Sequence, residues 1–175
     1  MTLKHLFVAR HGDYNDYSGR ISIYGKEEME RLGKAIKEIL RGESPHIISS
    51  QVPRAFDSSQ ILADELDSNN SIEQSQYISE TSDGAYTDHF SNPERLAKYI
   101  DKVIEGVGYI FYGGDSNLLI VTHRNTSNVL YRSFLRKLFG EDKFIGSLKF
   151  GEAFHFDLVN RKYEIIPKWN VIEYE

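Results

Sequence analysis

The chain has 175 residues and sets 21 Lys and Arg against 26 Asp and Glu, a formal net charge of -5, which leaves no general basic surface for nucleic acid. It contains no cysteine, so disulfides, thiolate metal sites and a catalytic thiol are excluded. Hydrophobic residues make up 40%, with only 4 Pro and 13 Gly, a composition neither disordered nor fibrous and enough for one buried core, so one domain over residues 1–175 is expected.

Met1 to His5 run straight into the first apolar segment, leaving no room for a secretory signal, and no apolar run approaches bilayer length. The expectations are a cytoplasmic location and no membrane partner. Leu6, Phe7, Val8 and Ala9 form a short, near-continuous apolar run that fits a strand buried on both faces, stopping at Arg10-His11-Gly12. The polar segment DYNDYSGR that follows reads as a loop of the kind that lines sites. From Lys26 to Arg41, Met29, Leu32, Ile36, Ile39 and Leu40 recur at helical spacing and Gly42 closes the segment. His46 to Ser50 reads as a second strand, and Pro53 to Leu66 as a helix with Pro53 in its first turn and Arg54 at its start. A helix start just after a strand end gathers free N–H groups and favours an anion.

Asp67 to Ser71 is a turn, Ile72 to Ile78 a weaker strand with alternating character, and SETSDGAYTDHFSNP a polar loop carrying Glu80, Asp83, Asp88 and His89. Asn92 and Pro93 then suit a helix start, with an apolar stripe from Leu96 to Val107. Asn117 to Thr122 is the most apolar strand and ends at His123-Arg124. A helix is expected from about Thr126 to Phe139, and Ser147 to Val171 reads as a hairpin around Asn160-Arg161. Strands alternating with helices predict a three-layer α/β/α sandwich whose central sheet is mostly parallel, with antiparallel strands at its edge.

In such a sheet the carboxyl ends of the strands lie along one edge, where ligands bind. That edge would carry Arg10 with His11, then Arg54, then His123 with Arg124. Guanidinium groups bind phosphate oxygens in bidentate fashion, and a histidine among them can be a nucleophile or a donor to the transferring group. The six histidines, at 5, 11, 46, 89, 123 and 155, show no compact ligand spacing, so no metal site and no cofactor is expected.

These residues resemble the histidine phosphatase superfamily, the phosphoglycerate mutase-like family, over nearly the whole chain. The Arg-His-Gly hallmark after the first strand is Arg10-His11-Gly12. Ser50-Gln51-Val52-Pro53-Arg54-Ala55 is similar to the family's Ser-Pro-x-x-Arg-Ala block, with the proline displaced. Glu80 followed by Gly84 resembles its acid followed four positions later by glycine. Leu119-Ile120-Val121-Thr122-His123 resembles its second histidine after an apolar strand. The departures are Asp13 and Tyr14, where many members carry Glu and a small hydroxyl residue, Tyr17 in place of an asparagine, and Arg124 in place of glycine.

The resemblance implies hydrolysis of a phosphomonoester through a phosphohistidine on His11. Arg10, Arg54 and His123 would bind the phosphoryl group, His123 would share in catalysis, and Glu80 or its competitor Asp83 would protonate the leaving oxygen. Asn15, Tyr17 and Arg124 are candidates for substrate contacts. Arg10, Arg54 and, where it is protonated, His123 would keep His11 unprotonated. The partner is then a phosphorylated small molecule or a phosphoprotein. Protein phosphohistidine phosphatases share the compact Arg-His-Gly-Asp form. A mutase is disfavoured by the short stretch from Glu80 to Asn92, and a non-catalytic phospholigand-binding module by the retention of both histidines.

Overall fold

A computed structural model describes residues 3–79 and 116–168. Glu80, Asp83, His89 and the helix expected between Asn92 and Val107 lie outside the described residues. Among the described residues six strands form one sheet: β1 (His5–Arg10), β2 (His46–Ser50), β3 (Glu73–Ser75), β4 (Asn117–Thr122), β5 (Ala153–Asp157) and β6 (Lys162–Ile166), in the order β3-β2-β4-β1-β5-β6. β1, β2, β3 and β4 pair in parallel, whereas β5 runs antiparallel to β1 and β6 antiparallel to β5.

The apolar run of β1 is buried on both sides because alternate residues serve two cores. Phe7 and Ala9 pack with Met29, Leu32, Ile36 and Leu62 from α1 (Ile23–Leu40) and α2 (Pro53–Glu65). Leu6 and Val8 pack on the other face with Leu130, Tyr131 and Phe134 of α3 (Arg124–Phe134). This is the three-layer arrangement with antiparallel strands at one edge. No helix among the described residues is long and apolar enough to cross a membrane.

Several boundaries differ from the sequence expectation, each for a local reason. α1 begins at Ile23 rather than Lys26 because the Ser22 hydroxyl caps it, accepting the Gly25 N–H at 3.0 Å. Its first turn exposes Ile23 and Tyr24, so no apolar stripe announced it. The strand expected over Ile72 to Ile78 is three residues of β3 followed by a 3-10 turn, Gln76–Ile78; among the described residues β3 lies at the sheet edge and pairs only with β2. α3 starts at Arg124, and the helix expected to continue to Phe139 changes to a π turn over Leu135–Phe139, ended by Gly140 at φ 72°. The hairpin is confined to β5 and β6. Before it the chain is irregular, its turn held by the Glu152 carboxylate, which accepts the Lys149 N–H at 2.7 Å.

Candidate active site

The register of the sheet sets three strand ends side by side. Arg10 of β1 lies opposite Thr122 of β4, and β2 flanks β4 on its other side. Just past these ends the His11 N–H donates to the Thr122 carbonyl at 3.0 Å, tying the two histidine-bearing turns together. Gly12 and Gly25 meet backbone to backbone: a Cβ on Gly12 would run into the Gly25 carbonyl, and a Cβ on Gly25 into the backbone of Asp13. The first turn of α1 therefore presses directly on the turn that carries the histidine. The Gly12 N–H donates to Ser58 of α2 at 3.1 Å, and the Asp13 N–H donates to Glu28 of α1 at 2.8 Å. Burial pushes the Glu28 carboxyl above its ordinary range.

His11 is 2% exposed. Its Nδ1 lies 2.7 Å from the Gly12 carbonyl oxygen, which can only accept, so Nδ1 carries the proton and Nε2 the lone pair in the neutral ring. Arg54 donates its Nε–H to that Nε2 at 3.1 Å. The His11 pKa is pushed down to about 3, first by burial and then by Arg54 and Arg10, against the opposing Gly12 hydrogen bond and Asp13. Sequence reasoning assigned this effect to the cations, but desolvation is the larger cause.

His123 occupies the N-cap position of α3 in extended conformation, and its side chain makes no cap hydrogen bond. The two histidine rings lie 5.0 Å apart, nearly perpendicular at 67°. Burial first, then His11, Arg54 and Arg10, lower the His123 pKa to about 2. His123 is therefore neutral here, and the cations that lower the His11 pKa are Arg54 and Arg10. Its Nε2 is 2.8 Å from Ser50 Oγ. The Ser50 hydroxyl donates to Ser79 Oγ at 2.9 Å, and Ser79 donates to the Ser75 carbonyl at 3.3 Å. The carbonyl at the end of this chain accepts only, so the hydroxyl protons run away from His123 and the ring donates from Nε2–H.

Two aromatic side chains complete the surroundings of His11. Tyr14 meets it edge-on with centroids 5.4 Å apart, and Phe150 lies at 5.6 Å. Arg54 Cζ stands 4.5 Å over the Tyr14 ring, and Arg10 Cζ stands 3.7 Å over the Phe150 ring. Arg10 also donates to the Leu148 carbonyl at 3.0 Å. Sequence reasoning passed over Phe150 and Ser79, and noted Tyr14 and Ser50 only within motifs. Phe150 carries no local signal at all, because its proximity to His11 comes from β5 pairing with β1.

The structure thus brings Arg10, His11, Arg54 and His123 to one place. Three further candidates lie elsewhere. The Asn15 side chain closes its own loop, accepting the Tyr17 and Ser18 N–H groups at 2.9 and 3.1 Å. Tyr17 is fully exposed, and Arg124 is exposed in the first turn of α3. Among the described residues, no hydrogen bond or ring contact joins these three to His11. Among the described residues no group of three or more His, Asp and Glu is arranged to hold a metal ion.

No family model matches the chain, and no curated protein matches its sequence. Solved structures do resemble it. A mycobacterial glucosyl-3-phosphoglycerate phosphatase complexed with VO3 is 16% identical at a TM-score of 0.63, the match covering 93% of this chain and 96% of that one. A phosphoserine phosphatase mutant from Entamoeba histolytica in complex with phosphoserine is 13% identical at a TM-score of 0.58, covering 95% of this chain and 96% of that one. The protein histidine phosphatase SixA complexed with tungstate is 16% identical at a TM-score of 0.57, covering 92% of this chain and 93% of that one. A correspondence of this extent, over one mixed six-stranded sheet, shows that the chain has the α/β fold of these solved phosphatase structures.

Proposed function

We propose that this protein is a phosphatase that hydrolyses phosphomonoesters through a phosphohistidine formed on His11. The observation that carries the reading is the state of the His11 ring: Nδ1 is committed to the Gly12 carbonyl, so the Nε2 lone pair is the one turned toward Arg54. A buried imidazole with its pKa near 3 is unprotonated throughout the neutral range, as a nitrogen nucleophile requires. Arg10 and Arg54 supply the positive charge that phosphoryl oxygens need in the transition state. Similar structures are complexes with VO3, tungstate and phosphoserine, which agrees with an oxyanion site in this fold.

The Arg54 N–H occupies the lone pair that must attack, so it has to exchange His11 Nε2 for an oxygen of the incoming phosphoryl group. The Nε2–P bond then forms as the P–O bond to the leaving group breaks, and the leaving oxygen takes a proton from Glu80, with Asp83 as the competing donor. Water next attacks phosphorus, returns a proton to that acid, and the N–P bond breaks to release inorganic phosphate. His123 lines the phosphoryl site beside His11. The reaction so written uses no cofactor and no metal, and it requires nothing beyond a cytoplasmic setting.

A phosphoprotein substrate is the second reading. It is favoured by Tyr17, Ile23 and Tyr24, which stand exposed on the loop and helix turn next to Gly12. Turnover of a phosphomonoester panel and of a phosphohistidine protein, with His11→Ala as control, tests both. His11→Ala should abolish turnover and the acid-labile phosphoenzyme seen after rapid quenching. Either signal persisting in the purified variant removes His11 from the nucleophile role.

A further inference from the structure

We propose that Tyr14 and Phe150 are positioning residues, each holding one of the two guanidinium groups against its ring face and so fixing the phosphate-binding forks beside His11. The inference rests on the site being a phosphoryl site, as argued above, and adds two residues whose side chains have no part in the chemical steps.

A bidentate phosphate contact requires the guanidinium plane to be held, and a free arginine gives up rotamer freedom when it is. An aromatic face restrains the cation electrostatically without itself taking any of its N–H donors. The distances fit such a role, at 3.7 Å for Arg10 over Phe150 and 4.5 Å for Arg54 over Tyr14. The two rings also touch each other, with centroids 6.2 Å apart at 79°, and both touch His11. Rings, forks and nucleophile therefore form one packed unit.

Each ring is mounted on the same scaffold as its arginine. Tyr14 pairs with Ile21 across its loop. The Ile21 N–H donates to Asp57 at 3.3 Å, and Arg20 forms an ion pair with Asp57 at 2.7 Å. Asp57 belongs to α2, the helix that carries Arg54. Phe150 follows Leu148, whose carbonyl holds Arg10 at 3.0 Å. The ring–cation pairs thus have short mechanical links, and the loop after β1 is fixed to the helix it must register against. Tyr14 stands where the resembling family carries a small hydroxyl residue, so this mode of support belongs to this chain's own sequence.

The test is titration with inorganic phosphate, alongside steady-state turnover of a phosphomonoester, for wild type, Tyr14→Leu, Phe150→Leu, Tyr14→Phe and Phe150→Tyr. The leucine variants keep apolar bulk and lose the π face. Each should weaken phosphate binding by about three- to tenfold and lower kcat/KM at least as much, whereas the ring-keeping pair should stay within about twofold of wild type. Leucine variants that bind phosphate like wild type would overturn the inference. So would ring-keeping variants that lose as much as the leucine pair, and because these conserve packing they decide the matter even where a leucine variant fails to fold. His11→Ala separates this inference from the catalytic reading. If wild type shows no His11-dependent turnover, the phosphatase assignment fails, and the phosphate titrations still judge the clamp.

Discussion

The neutral tautomer of each histidine is set by one oxygen. For His11 it is the Gly12 carbonyl on Nδ1, and for His123 it is the Ser50 hydroxyl on Nε2. The two rings therefore carry their lone pairs on different nitrogens, and of the two only His11 has Nε2 as its lone-pair nitrogen. The Ser50 hydroxyl can accept from His123 because its own proton is passed to Ser79 and on to the Ser75 carbonyl. Ser50→Ala removes the acceptor without changing charge. Loss of one buried hydrogen bond of this kind should lower kcat/KM about three- to tenfold, and Ser50→Thr, which restores the hydroxyl, should recover most of it. Imidazole-nitrogen NMR gives the readout that a packing defect would not move. Wild type should show His123 as the Nε2–H tautomer, and Ser50→Ala a mixture. An unchanged tautomer with unchanged kcat/KM would show that Ser50 does not position His123.

Elements, rather than single side chains, determine how closely the turn that carries His11 can be supported. The first turn of α1 lies against Gly12 and Asp13 with no room for a Cβ at Gly25. In an open helix Gly→Ala would stabilise by about 1 kcal/mol, whereas overpacking typically costs about 1–3 kcal/mol. Here the added methyl meets backbone, which cannot turn aside as a side chain can, so the penalty should win. Gly25→Ala should lower the urea midpoint and reduce phosphate affinity as well, since the displaced segment is Asp13 beside His11. A higher midpoint with unaltered affinity would contradict the packing. The elements themselves were largely legible in the sequence: β1, β2 and β4 from their apolar runs, and α1 and α2 from helical spacing. Because a parallel sheet gathers strand ends, Arg10, His11, Arg54 and His123 could be named as one group. What escaped was whatever depends on partners distant in the chain. Phe150 is an ordinary aromatic in a tail segment until β5 pairs with β1 and brings it over Arg10. Ser22 looks like one more loop residue until Gly25 needs an acceptor. The role of Tyr14 is invisible without Arg54 above it.

For the molecule as a whole, the burial that keeps the site histidines neutral has a cost at low pH. His11, His123 and His155 are all buried, with pKa values pushed down to about 3, about 2 and about 4 from an ordinary 6.5, burial being the first cause in each. His155 lies outside the active site, stacked on Phe7 at 4.7 Å with its Nε2 3.1 Å from His5 Nδ1. A histidine with a lowered folded-state pKa is bound by a proton in the unfolded chain first, so unfolding takes up protons as pH falls below 6.5. Stability therefore declines with falling pH until the folded-state pKa is reached. At pH 5 all three remain unprotonated in the folded protein and protonated in the unfolded chain, which removes about 2 kcal/mol for each, or about 6 kcal/mol together. That is comparable to the whole stability of a typical domain. Urea unfolding between pH 7.5 and pH 5 should show a steep loss, and His155→Gln, which can still hydrogen-bond to His5, should remove about 2 kcal/mol of it. A pH dependence that is flat, or unchanged by His155→Gln, would refute the linkage. Over the same range the activity per folded molecule should not fall through protonation of His11, because its pKa lies well below. Acid then acts on this protein by unfolding the sheet that carries His11, before His11 itself is protonated.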